Sequence, residues 1–218
     1  MTRPRAAVSW SGGKDCCLAF LRAQPDFDLV ALVTMFGEDG SRSRSHGLTP
    51  AVIAAQADRL GLPVHAGRCS WPTYTGQYLA LLAEVQQHDI THVIFGDIMG
   101  DTHRAWNERV CAERGLTPVM PLWGEPTLSL AQEFVSRGGE ARFVTVRPPL
   151  LDESWLGLTL DASALERLQA IGVDPCGELG EYHTVVTACP AFSSPLTLEP
   201  GRRVLSGGCW ALDFDVRG

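Results

Sequence analysis

No stretch of this chain stays apolar for the ~18 residues that a bilayer-spanning helix needs, so no membrane partner is expected. Two arginines near the N-terminus precede an apolar run too short for the core of a secretory signal. Cysteine is present, but paired spacing is missing. The seven cysteines, Cys16, Cys17, Cys69, Cys111, Cys176, Cys189 and Cys209, include no Cys-x-x-Cys. An odd number without regular spacing argues against a disulfide framework and for a reducing, cytoplasmic setting. It also leaves a structural zinc site without support. A surplus of positive charge is missing too: the formal net charge is −7, which argues against a broad nucleic-acid-binding face. No internal repeat and no low-complexity segment occurs. What remains is a chain of 218 residues, 45% of them hydrophobic, enough for one large domain or two small ones with a substantial core.

The most informative stretch is Ser11-Gly12-Gly13-Lys14-Asp15-Cys16. An apolar run before it, Ala6 to Trp10, reads as a strand, and Cys17 to Leu21 reads as the start of a buried helix. Strand, glycine turn and helix together form a context in which backbone amides hold a phosphate. Glycines let the main chain approach an anion, and the first helical turn leaves N–H groups free at the positive end of the helix dipole. Lys14 adds a full charge. Read alone, the stretch is a glycine turn with a surface lysine. It is not a Walker A loop, which separates its glycines by four residues and follows lysine with Ser or Thr. It resembles instead the SGGxDS loop of the PP-loop ATP pyrophosphatases. That resemblance implies that the β and γ phosphates are cradled here and leave as pyrophosphate. The family's usual last residue is Ser, and Cys16 stands in its place, a weaker hydrogen-bond donor.

Further along, Phe27 to Phe36 reads as a strand buried on both faces. Gly37 to Gly47 is a polar loop from which Arg42, Arg44 and His46 could close over a ligand. Thr49 and Pro50 open a helix ended by Gly61. Pro63 to Gly67 fits a short strand, and Tyr74 to Gln87 an amphipathic helix with Tyr78, Leu79, Leu82 and Val85 inward. Thr91 to Phe95 is a strand followed by Gly96-Asp97, a carboxylate at the edge where open α/β sheets bind ligands. Arg104 and Glu108 share the next helix face at i, i+4 spacing. Leu116 to Trp123 begins as a strand and runs into a Pro/Gly cluster, which places a domain boundary near residue 124. Helices over 128–137 and 163–171 flank a strand over 141–146. From Thr184 onward, short Val/Thr/Leu/Phe runs predict two to four antiparallel strands.

A second polar stretch, Cys176-Gly177-Glu178-Leu179-Gly180-Glu181-Tyr182-His183-Thr184, sets carboxylates around a glycine turn beside Tyr, His and Thr. By chemistry alone it is an exposed β-turn or an acid/base loop. With SGGKDC at 11–16, FGDI at 95–98, Arg104 with Glu108, GLTPVMPLW at 115–123, GVDPCGELGEYHT at 172–184 and Cys189-Pro190, it resembles the diphthine–ammonia ligase family of the PP-loop superfamily, on the side of its bacterial relatives. These pieces are collinear and span most of the chain.

The resemblance implies an α/β fold: a Rossmann-like, HUP-type parallel-sheet PP-loop domain over 1–124 and a smaller α/β domain over 125–218. It implies ATP held by Ser11, Gly12, Gly13, Lys14, Asp15 and Cys16, with Thr34 and Met35 near adenine and Gly96 and Asp97 at the cleft edge. Asp15 is the candidate for Mg²⁺ held with ATP. His46, Arg104, Glu108, Tyr182 and Thr184 are implied for substrate, and Glu178, Glu181 and His183 for catalysis. Leu179, where Gly is common, and His183, where diphthamide-making members carry Glu, depart from the pattern on the substrate side. The implied activity is an ATP-dependent amide-forming ligase that adenylates a carboxylate, releases pyrophosphate and then amidates with ammonia. The acceptor, protein or small molecule, stays open, and free ammonium or a partner is the expected nitrogen source. A related PP-loop enzyme acting on a cobalamin-related substrate or tRNA, and a nucleotide sensor without chemistry, are the other readings. A homo-oligomer stays open among the partners.

Because a hydroxyl is the usual group at its position, Cys16→Ser is expected to preserve or tighten binding of a non-hydrolysable ATP analogue. Titration calorimetry on the folded variant checks this, and lost binding would give the thiol a role of its own.

Overall fold

The computed structural model describes residues 2–217. Its first sheet contains β1 (Arg5–Ser9), β2 (Asp28–Phe36), β3 (Val64–Arg68), β4 (His92–Ile94) and β5 (Thr117–Val119). The spatial order is β3-β2-β1-β4-β5, and every pairing is parallel. Parallel neighbours need crossovers, supplied by α1 (Lys14–Ala23), α2 (Pro50–Leu60), α3 (Tyr74–Val85) and α4 (Asp101–Ala112). Ala6, Ala7 and Val8 are wholly buried, as a central strand covered on both faces must be. The chain winds outward from β1 to β3, then returns to lay β4 on the other side. That reversal opens a crevice beyond the carboxyl ends of β1 and β4. The glycine turn and Gly96-Asp97 follow those two strand ends.

The second half holds α5 (Thr127–Ser136), β6 (Glu140–Val146), α6 (Ala162–Ala170), β7 (Tyr182–Ala188), β8 (Leu198–Ser206) and β9 (Cys209–Val216). Its strands form an antiparallel sheet of order β7-β6-β9-β8. The two sheets share one apolar core. Leu18 and Phe20 of α1 belong to the same buried cluster as Phe134, Phe143 and Leu168. Polar links reinforce the junction. Arg22 of α1 reaches Glu125 and Glu133 at once, with Nη2 2.9 Å from Glu125 Oε2 and Nε 3.1 Å from Glu133 Oε1.

Local chemistry explains most element ends. Thr49 Oγ1 accepts the Val52 N–H at 3.4 Å, Pro50 takes the first helical position, and Gly61 closes α2 in the left-handed region at φ 68°. The helix expected to reach Gln87 changes at Val85 into a 3₁₀ turn over Gln86–His88. Its buried face is Tyr78, Leu81, Leu82 and Val85, and Leu79, half-buried, packs against the same core, so Leu81 joins the expected set. β5 is short because Pro118 and Pro121 withhold donors from the ladder. Among the described residues no helix is long and apolar enough to cross a membrane.

The approach of β4 to α1 depends on Gly96. A Cβ there would lie 2.7 Å from the Cys16 nitrogen and 2.8 Å from its Cα, and backbone cannot yield as a side chain can. Gly96→Ala is therefore expected to destabilise the fold by about 1–3 kcal/mol, the usual cost of overpacking, read as a lowered urea midpoint. An unchanged midpoint would contradict this contact.

Candidate active site

A cavity of about 540 Å³ opens between the two sheets and draws its walls from both. At one end is the glycine turn. Gly12 has φ +83°, which an L-residue avoids, and its carbonyl accepts the Val186 N–H of β7 at 2.9 Å. Gln56, fully buried on α2, donates to the same carbonyl at 3.0 Å and to Val186 O at 2.8 Å, while its own oxygen accepts the Trp10 indole N–H at 2.9 Å. A Cβ on Gly13 would fall 2.0 Å from His46 Cε1. The Gly13 N–H reaches Ser11 Oγ at 3.4 Å and the Lys14 N–H reaches Thr184 Oγ1 at 3.2 Å. The Asp15 and Cys16 N–H groups have no partner among the described residues. These are the donors an α-helix leaves free at its start. Ser11 Oγ donates to Cys16 Sγ at 3.2 Å, and that thiol donates to Gly13 O at 3.1 Å. Burial pushes the thiol up to about 11, so Cys16 donates hydrogen bonds as the usual serine would and is no nucleophile at neutral pH.

Lys14 is the only lysine in the chain. Expected to reach out to phosphate, it is instead almost fully buried. Its ammonium lies 2.8 Å from Asp15 Oδ2, 2.5 Å from Cys176 O and 5.1 Å from the centre of the Tyr182 ring. Burial works against its charge, but Asp15, followed by Tyr182 and Cys176, holds it well above the ordinary lysine range. Two of its three N–H groups therefore bind its own chain, joining the glycine turn to the second half, and one is left for a ligand.

The opposite end of the cavity is aromatic. Thr34 and Met35 close β2 there, and the Trp71, Tyr74 and Trp106 rings follow one another at centroid distances of 5.9 and 5.6 Å. The Arg44 guanidinium lies 4.0 Å above Trp71. Trp71 is nevertheless 69% exposed, so one face remains for a flat ligand.

The third wall is the second polar stretch. Asp174 Oδ1 accepts the N–H groups of Cys176 and Glu178 at 2.8 and 3.2 Å. Glu181 accepts the Asp174 N–H on one oxygen at 3.2 Å and the Leu179 N–H on the other at 3.0 Å. Glu181 is buried and lies outside the cavity lining. Expected as a catalytic group, it is the clasp that closes its own loop. Glu178 does line the cavity. Burial, then Asp15, Asp174 and Asp97, outweigh Lys14 and push its carboxyl up to about 7. A group poised there exchanges a proton at neutral pH. His183 also lines the cavity, stacked on His46 with centroids 4.7 Å apart and planes at 22°. His46 donates through Nδ1 to Thr184 O at 2.8 Å. Burial lowers His46 to about 4, and burial followed by His46 and Lys14 lowers His183 to about 3. Both rings are neutral above pH 5, and His183 is too weak a base for proton transfer at neutral pH. The Tyr182 hydroxyl donates to Pro175 O at 2.5 Å and is committed to the loop.

The description "Diphthamide synthase N-terminal domain" matches residues 4–118, and "Diphthamide synthase C-terminal domain" matches residues 126–212. The chain belongs to the diphthamide synthase family. A protein of Rattus norvegicus named diphthine–ammonia ligase is 26% identical over 227 residues, covering 92% of this chain and 85% of that one. One of Danio rerio with the same name is 28% identical over 221 residues, covering 89% and 86%. A solved structure titled as a predicted subunit of a tRNA methyltransferase from Methanocaldococcus jannaschii aligns with a TM-score of 0.45 and 15% identity, over 86% of this chain and 98% of that one.

Within this diphthamide synthase fold, α4 offers the cavity a face other than the expected one. Arg104 and Glu108 pair at 2.8 Å with half of each side chain exposed, outside the lining. His103, Trp106 and Asn107 line the cavity instead. They stand at i, i+3 and i+4, one helix face, and Trp106 is the apolar residue in the sequence that marks it. Asn107 donates to Asp97 Oδ2 at 3.0 Å, and His103 Nδ1 is 3.5 Å from the other oxygen. Among the described residues no three His, Cys, Asp or Glu side chains are gathered to hold a metal. A divalent ion here would take most of its ligands from bound phosphate, with Asp15 or Asp97 adding a carboxylate, a set that suits Mg²⁺.

Glu178 also generates a stability prediction. Its folded value of about 7 exceeds the ordinary 4.5, so the folded state keeps a proton that the unfolded chain has released. That preference stabilises the protein at low pH and is lost as pH climbs from 4.5 to about 7. Glu178→Gln, which is always neutral, is expected to gain stability over the native protein between pH 5 and pH 8, read from urea midpoints at both values. A constant difference would show that the carboxyl titrates normally.

Proposed function

We propose that the cavity binds ATP, uses it to adenylate a carboxylate, and amidates that carboxylate with ammonia. The observation that carries this is the joining, in one cavity, of the unpartnered first-turn N–H groups of α1 with a glutamate poised near neutrality. Residues 1–124 would hold the nucleotide and 125–218 the acceptor. The base lies at the aromatic end beside Thr34 and Met35, and the β and γ phosphates lie at the glycine turn. A carboxylate oxygen attacks the α phosphorus, and the α–β bridging bond breaks with its electron pair leaving on pyrophosphate. The free N–H groups and Lys14 stabilise the departing charge, and Mg²⁺, when bound, would neutralise phosphate charge. Ammonia is mostly ammonium at neutral pH. Glu178 accepts its proton, ammonia adds to the acyl carbon, the new C–N centre gives its surplus proton to the phosphate of departing AMP, and AMP leaves with the electrons of its C–O bond. The acid/base role expected of Glu181 and His183 thus falls to Glu178.

For the relatives, the name gives diphthine as the acceptor, and a diphthine-bearing elongation factor is the first acceptor to test here. With it, ATP and ammonium chloride, the native protein is expected to form AMP, pyrophosphate and the amide. Glu178→Gln should retain AMP and pyrophosphate while the amide falls by ~10²–10⁴-fold, the usual cost of losing a general base. Mass spectrometry beside a pyrophosphate assay measures both. ATP-analogue binding without AMP formation would point to another carboxylate. Absence of analogue binding in calorimetry would overturn the reading.

A further inference from the structure

Carboxylates are numerous in the cavity lining: Asp15, Asp97 and Glu178 all belong to it. An incoming carboxylate adds another negative charge to that wall and needs a cation to meet it. The lining offers few. Lys14 gives two of its three N–H groups to Asp15 and Cys176, and the third falls to pyrophosphate in the reaction proposed above. Arg44 lies flat on Trp71 at the aromatic end. His46 and His183 are stacked and buried. His103 faces Asp97. The next cation outward is Arg147, just past the end of β6. Its guanidinium lies 3.4 Å from where a Cβ on Gly180 would stand, and Gly180 is part of the cavity wall. Its charge is felt by His183. Arg147 is exposed, and among the described residues its side chain makes no salt bridge. Its backbone is fixed all the same. The Arg147 N–H donates to Glu181 O at 2.8 Å, and its carbonyl accepts the Leu151 N–H at 3.2 Å. The clasp that shapes the Glu178 loop thus also fixes the base of this side chain and leaves its tip free at the mouth.

We infer that Arg147 is the residue that receives the acceptor's carboxylate at the mouth of the cavity. This rests on the proposed reading of the cavity as a site of carboxylate adenylation. The planar guanidinium matches a carboxylate through two parallel N–H bonds, and its exposure lets it swing with the acceptor. Leu179, 73% exposed between the lining residues Glu178 and Gly180, adds an apolar contact beside the charge.

The test uses succinate as the carboxylate probe on protein loaded with a non-hydrolysable ATP analogue. Arginine side-chain N–H resonances are followed by NMR, with Arg202, also exposed, as the internal control. The Arg147 signal is expected to shift saturably with succinate while that of Arg202 does not. Arg147→Gln should weaken succinate binding by about tenfold or more, the loss of a charge-assisted hydrogen bond, and Arg147→Lys should restore part of it. If Arg147 moves no more than Arg202, or if Arg147→Gln binds succinate as the native protein does, the inference is overturned. Calorimetry of the analogue on the same samples keeps the two ideas apart. Lost analogue binding counts against the nucleotide reading, whereas an unmoved Arg147 signal with analogue bound counts against this one alone.

Discussion

The contact between the glycine turn and β7 is the constraint on which the rest of the structure depends. The Gly12 carbonyl points away from the cavity and must find donors in the protein interior, because an unpaired buried carbonyl costs about 1–3 kcal/mol. It finds Val186 of β7 and the amide of Gln56. Gln56 in turn satisfies Val186 O and the Trp10 indole, so one buried amide serves α2, β1's end and β7 together. With the carbonyl turned inward, the Asp15 and Cys16 N–H groups remain for a ligand. The second sheet thus braces the glycine turn as well as forming the wall opposite it.

Charge in the cleft follows the same economy. Lys14 carries the only ammonium side chain of the protein and gives one donor to Asp15 beside it and one to Cys176 O, which ties the glycine turn to the second half. The stacked imidazoles of His46 and His183 are neutral, so they fill space and orient Thr184 without adding charge. Glu178 is the group left to titrate near neutrality, because the desolvated site already holds other carboxylates. An anionic acceptor would meet Asp15, Asp97 and Glu178 on the cavity wall, and the role proposed for Arg147 at the mouth is to offset them.

The sequence by itself determined the elements and the place of the cavity. Strand and helix identities follow from local periodicity, caps and glycine stops, which act over a few residues. The antiparallel strands at the end of the chain were legible for the same reason. The glycine turn and Asp97 were also legible, because each follows the end of a strand in an open α/β sheet, whereas Thr34, Met35, His46 and Glu178, which line the same cavity, came only with the family resemblance.

Tertiary structure alone decided what each polar side chain does there. Glu178 and Glu181 are alike in the sequence, one on each side of Gly180. Only the turn, with Gly180 at φ +79°, directs one carboxylate into the cavity and folds the other onto the Asp174 and Leu179 N–H groups. On α4, the i, i+4 charges of Arg104 and Glu108 stood out in the sequence, but the helix rotates them to solvent and turns Trp106 and Asn107 inward. Gln56 gave no signal, since an amide inside an amphipathic helix reads as surface until a strand 130 residues away supplies its partner. Contacts of that range depend on how the two sheets meet, and no local pattern along the chain encodes that geometry.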